Sequence, residues 1–304
     1  FYIRRILRVV GFGFQAPVFR VGARALWTAR ILLLTKLFET GRVAGVRLVL
    51  LPLAGAANLA ALATMQTGAN VVIRGLSTVT GPLLPELMRV LKDRDQLRSE
   101  AAFTTLWIVL VVVLAPAVVV LQVVAEPLFS IWTRGQIAFD PALFGFLSIS
   151  VLVLAWSQPA IAIVKGNNLV NAQLVVAGVA SGIVLGGMLV LVPVIGILGA
   201  GIALLAAELF AAYRFYIVAD NWFNTQGMIW PRHSTRLAGY SVWIAAFSIS
   251  ILVGLPDCNK IVVILLAFVF FGINVFFYWR SVPTFARHRL ASLVEKIQIK
   301  TPSY

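Results

Sequence analysis

The stretch "ATMQTGANVVIRGLS", residues 63–77, places Gln66, Asn70 and Arg74 at intervals of four, with Ser77 close behind. On an α-helix these four side chains fall within an arc of about 80°. Val71, Val72, Leu76 and Val79 lie mostly on the other side. A guanidinium turned toward lipid costs at least about 2.5 kcal/mol. The polar face is therefore expected to look at protein or at a water-filled cavity. The chemistry it offers is anion recognition. Arginine stays charged and its planar fork grips phosphate through two hydrogen bonds, and neighbouring amides can hydrogen-bond sugar hydroxyls. The alternative is structural, with Arg74 reaching the headgroups or pairing with a neighbouring helix. A second expensive group is Glu208, inside "GAGIALLAAELFAAYRFY". An intramembrane carboxylate is a candidate proton carrier or arginine partner, or else an interhelical hydrogen bonder.

The elements that position these groups must be membrane helices. The chain has 304 residues, 61% of them hydrophobic and only 12% charged, with a mean hydropathy of +0.96. A soluble domain carries about twice that charged fraction. Apolar runs near membrane length are expected at 102–124, 142–164, 171–192, 197–218, 239–255 and 261–279. The short alternating segments of a transmembrane barrel are absent from the sequence. The expected fold class is thus all-α and polytopic.

The net charge of +14 would suggest nucleic acid in a soluble protein, but here the charges sit at the ends of apolar runs and report topology, so no nucleic-acid partner is expected. On one set of alternate connections lie Arg89, Lys92, Arg94, Arg98, Lys165, Arg214, Arg232, Arg236, Arg280, Arg287, Arg289, Lys296 and Lys300. The other set holds Arg134 and Lys260. This asymmetry places the 89–98 loop and the C-terminus in the cytoplasm, in a multi-pass inner-membrane protein.

Residues 1–47 fit less well. They carry nine basic residues, and their longest apolar stretch, near Ile31–Leu34, is too short to cross. They are set apart as a basic N-terminal segment of undefined fold. Because the chain begins at Phe1, it is expected to be a fragment. Residues 48–88 read either as two short crossings with a turn near Gly68 or, preferably, as one helix from about 56 to 80, after a break at 52–55 and ending at Pro82 and Pro85. Gly178, Gly182 and Gly186, facing Gly199, Ala203, Ala207 and Ala211, suggest a closely packed helix hairpin. Pro116 and Pro159 are expected to bend their helices. The sole cysteine, Cys258, allows no intrachain disulfide. His233 and His288 read as solvated, and no cofactor, metal-ligand spacing or catalytic carboxylate pair is found.

The order of "ATMQTGAN", "STVTGPLLPELMRVL", "LFSIWTRG", "QPAIAIVKGNNLV" and "IGILGAGIALLAAELF" resembles the second half of a polysaccharide repeat-unit flippase of the MATE/MOP exporter superfamily. The resemblance covers about residues 55–220. It implies a MATE-like second lobe over 48–220, with an extra helix pair and a basic tail over 221–304. It further implies alternating access for a lipid-linked oligosaccharide on undecaprenyl diphosphate, with Gln66 and Arg74 on a cavity-facing helix. A polysaccharide polymerase or ligase would be a natural partner. Two alternatives stand beside this reading. One is a peptidoglycan-precursor flippase or cation-coupled small-molecule exporter of the same fold. The other is a membrane subunit or enzyme of polysaccharide assembly. The short external connections after residue 100 favour a transporter over an enzyme.

Overall fold

The computed structural model describes residues 19–255 and 258–282; within the first helix the side chains of 71–72, 74 and 76–86 fall outside that description, as do those of 20–21 and 24. Every regular element among the described residues is helical. In chain order they are α1 (Phe19–Lys92), α2 (Gln96–Val109), a π-helical turn (Leu110–Leu114), α3 (Ala115–Thr133), α4 (Pro141–Gly166), α5 (Val170–Ile195), α6 (Ile197–Thr225), α7 (Arg232–Gly254) and α8 (Lys260–Ser281). Seven helical stretches are long and apolar enough to cross a bilayer. The chain is an all-α, polytopic membrane protein, and the six spans expected after residue 100 each fall within one of these stretches, to within one residue at 255.

The seventh stretch changes the reading of the N-terminal part. Residues 25–70 form membrane-length helix, so the segment from Phe19 to Arg47, left without a fold in the sequence reading, is helical. The break expected at 52–55 is present. Gly55 has φ 83° and ψ 170°, a region that is essentially glycine-only. A straight helix would separate Arg42 from Asn70 by about 42 Å. Both border one cavity of about 250 Å³, and Val46, Leu50, Leu62 and Met65 share one apolar cluster. Gly55 therefore folds the two arms of α1 toward each other. The second arm does not stop at Pro82 and Pro85 as expected but runs to Lys92. In a bilayer the remaining backbone groups still require intrahelical partners, so isolated prolines do not end a helix.

Caps and prolines account for the other boundaries. Asp95 accepts a hydrogen bond from the Arg98 N–H and begins α2. Asp140 accepts from the N–H groups of Ala142 and Leu143 and begins α4. Asn259 begins α8 in the same way. The π-turn at 110–114 ends two residues before Pro116. A wider turn accommodates a ring that supplies no N–H. α5 runs through Pro193, and the turn lies at Gly196, whose φ is 64°.

Close approaches of small residues set the packing, with a shifted register. A Cβ on Gly187 would lie 2.9 Å from the Ala203 Cβ, and one on Gly199 would lie 2.6 Å from the Leu191 backbone. These two glycines make the α5–α6 contact. Gly178 instead faces Phe38 of α1, while Gly182 and Gly186 face open space. The α7–α8 pair is pinned by Asn274, which donates to the Leu237 carbonyl and to Ser241. Tyr278 donates to the Thr104 carbonyl and ties α8 to α2.

The connections sort by charge. Gln96 exchanges two hydrogen bonds with the backbone of Ile229, and Gly166 packs against Met88. The 93–95, 166–169 and 226–231 connections thus share one end of the bundle, with Arg89, Lys92, Arg94, Arg98, Lys165 and Arg232 around it. The opposite end holds Gly55, Gly196 and the Arg134 loop.

Candidate functional site

The central cavity lies between both arms of α1, α4 and α6. Its lining includes Arg42, Arg47, Gln66, Asn70, Ser150 and Glu208. Of the residues singled out in the sequence, Gln66, Asn70 and Glu208 come together here. The side chains of Arg74 and Ser77 lie outside the described residues, although their backbone continues the same helix.

Arg42 and Arg47 are the residues the sequence reading missed. Arg42 donates to the Glu208 Oε1 at 3.1 Å, with side-chain exposures of 28% and 19%. The pair joins α1 to α6 across a span of sequence that no local pattern links. A signal was available in the spacing. Ile31, Thr35, Val46 and Leu50 are buried and recur at helical intervals with Arg42 on the same side. The Lys36–Glu39 ion pair stands on the exposed face. Apolar run length missed this helix because it is amphipathic and carries paired charges.

Depth follows from helix rise. Counted from the end of the bundle that holds Gly55, Asp140 and Gly196, Arg42, Gln66, Ser150 and Glu208 all lie roughly 15–20 Å in. Other contacts agree with that alignment. Ser181 donates to the Phe38 carbonyl, and Gly45 lies against Leu185. The first arm of α1 therefore runs parallel to α5, its residues matched in depth. Half the thickness of a hydrocarbon core is about 15 Å, so the polar groups meet near its middle.

The electrostatics favour an anion. Two guanidiniums and one carboxylate face the cavity, leaving a surplus positive charge. Arg42 is committed to Glu208. Arg47, Gln66 and Asn70 make no side-chain hydrogen bond or ion pair among the described residues. They remain available as a charged fork and two amides, each with donors and an acceptor. Ser150 is buried and donates to the Phe146 carbonyl. Among the described residues, no group of three His, Cys, Asp or Glu gathers in a geometry that would hold a metal. The arrangement offers one guanidinium and two amides, unpaired among the described residues, to a hydrogen-bonding anion.

Comparisons with protein-family models, curated proteins and solved structures gave no match. The class established by fold and composition is a polytopic, all-α membrane protein.

Proposed function

We propose that the chain belongs to a membrane flippase that passes the headgroup of a lipid-linked oligosaccharide through this cavity by alternating access. The observation that carries the reading is the convergence of Arg47, Gln66 and Asn70 on one cavity beside the Arg42–Glu208 pair. A pyrophosphate cannot cross hydrocarbon unaided, because bringing its charge into a low-dielectric medium is prohibitive. A fixed guanidinium lowers that cost, and the amides suit sugar hydroxyls. The isoprenoid tail can stay in lipid throughout. Positive surplus limited to about one charge keeps attraction moderate and permits release. The basic end of the bundle is proposed to face the cytoplasm of a bacterial inner membrane. A polysaccharide polymerase or ligase would take the product on the other side.

The Arg42–Glu208 pair favours a second reading. A carboxylate held by an arginine within the membrane could exchange that partner for a cation, as a coupled small-molecule exporter of the same architecture requires. The two readings differ in what Arg47 is for.

In a strain lacking its own flippase and carrying this gene, Arg47→Gln is expected to cut surface polysaccharide several-fold at normal protein level. Arg47→Lys should recover part of it, since charge returns without the planar fork. Wild-type polysaccharide from Arg47→Gln would remove the flippase reading.

A further inference from the structure

A second recess, of about 270 Å³, opens at the basic end between α4, α6 and the first turns of α7. It shares no lining residue with the central cavity. Its walls are Trp156 of α4, Tyr216 of α6, and Arg232, Arg236, Tyr240 and Trp243 of α7. The last four recur at helical spacing and occupy one face of α7.

The groups in this recess differ in what they have left to offer. Arg232 contacts Asp220 at 3.4 Å, so its charge is largely answered within the protein. Arg236 forms no ion pair among the described residues. The Trp156 indole N–H is committed to the Thr235 carbonyl, leaving its ring as an apolar wall. Tyr216 packs edge-on against Trp230, with ring centroids 5.5 Å apart. Tyr240 and Trp243 are 55% and 73% exposed. The positive end of the α7 dipole lies at the same place as the unanswered guanidinium.

Depth distinguishes a lipid from a soluble anion. Arg236 lies about 6 Å beyond the start of α7, and Trp243 about 17 Å beyond it. The cation thus sits at headgroup level, and the exposed aromatics descend along the upper acyl region, where amphipathic rings favour the interface. A soluble phosphate would use the arginine and leave the aromatic wall without purpose. A phospholipid uses both.

We propose that this recess binds the phosphate of one anionic glycerophospholipid, with Arg236 on the phosphate and its acyl chains along Tyr240 and Trp243. The inference depends on the chain crossing a membrane and is independent of what passes through the central cavity.

The test is native mass spectrometry of the purified full chain in neutral detergent, titrated with phosphatidylglycerol or phosphatidylcholine of equal chain length. One phosphatidylglycerol is expected to bind at least about fivefold more tightly than phosphatidylcholine, the worth of a single interfacial arginine. Arg236→Gln should abolish that preference, and Arg236→Lys should retain most of it. Arg89→Gln, at the same end but outside the recess, should leave it unchanged, and unaltered thermal unfolding of each variant shows that the fold persists. Equal binding of the two lipids overturns the proposal. So does an Arg236→Gln variant that behaves like Arg89→Gln. Displacement of the lipid by inorganic phosphate alone would overturn the lipid assignment and point to a soluble anion.

Discussion

Arg42→Gln and Glu208→Gln are each expected to destabilise the protein by about 1–3 kcal/mol, while the double variant loses much less than their sum. Removing one member of a buried ion pair costs about 3–5 kcal/mol, because the other charge is left unanswered. The lower figure applies here because both side chains face a cavity and keep 28% and 19% of their exposure. Removing both charges leaves two neutral amides and no unanswered charge at the cavity wall. A double-mutant cycle on unfolding of the purified protein measures the coupling, expected at about 1–2 kcal/mol. Additive single effects would show that the two groups act separately, and would dissolve the link between α1 and α6.

Gly55→Ala is expected to cost about 1–3 kcal/mol, the strain of forcing a residue with a Cβ into a glycine-only conformation. Steric crowding is not the cause, since a Cβ at this position would meet nothing within 4 Å. Gly68 provides the contrast. It is equally open, but it lies within regular helix. Gly68→Ala should therefore be neutral or stabilising by up to about 1 kcal/mol. Thermal unfolding of the two variants side by side isolates the backbone term. The effect should extend to function, because Gly55 brings Arg42 and Arg47 alongside Gln66 and Asn70. Equal behaviour of the two substitutions would mean that the bend is held by packing rather than by Gly55 itself.

Much of this architecture was legible because membrane helices must satisfy their own backbone and so announce themselves by length. The six spans after residue 100 followed from that rule, and the break near Gly55 from the proline and glycine at 52 and 55. The alternation of basic residues followed from how charge sorts at the ends of apolar runs. The rule fails for the first arm of α1, several of whose charges are answered within the fold while Arg47 faces the cavity. Arg42 finds Glu208, Lys36 finds Glu39, and Arg30 lies 5.2 Å from the Trp27 ring. Only the fold puts the Arg42–Glu208 partners together, since they are far apart in sequence. The site was thus half visible. Gln66, Asn70 and Glu208 stood out as polar groups in greasy surroundings, whereas Arg42 and Arg47 were hidden among nine basic residues in a segment with no apolar run long enough to cross. The glycine stripe of α5 was misread by one residue. Spacing identifies a small-residue face but not which of two adjacent glycines, Gly186 or Gly187, meets the neighbouring helix.

The most direct measurement is thiol reactivity at position 66. In a Cys258→Ser background, Gln66→Cys would be compared with Val269→Cys, which sits at similar depth on an exposed, apolar part of α8. Small water-soluble thiosulfonates of opposite charge serve as probes. A hydrated, positively biased cavity requires that the position 66 thiol react while the position 269 thiol does not. The anionic reagent should be faster than the cationic one, and adding Arg47→Gln should reduce or reverse that preference. A position 66 thiol as inert as that at 269 would contradict the cavity. Preference for the cationic reagent with Arg47 intact would contradict its role in receiving an anion.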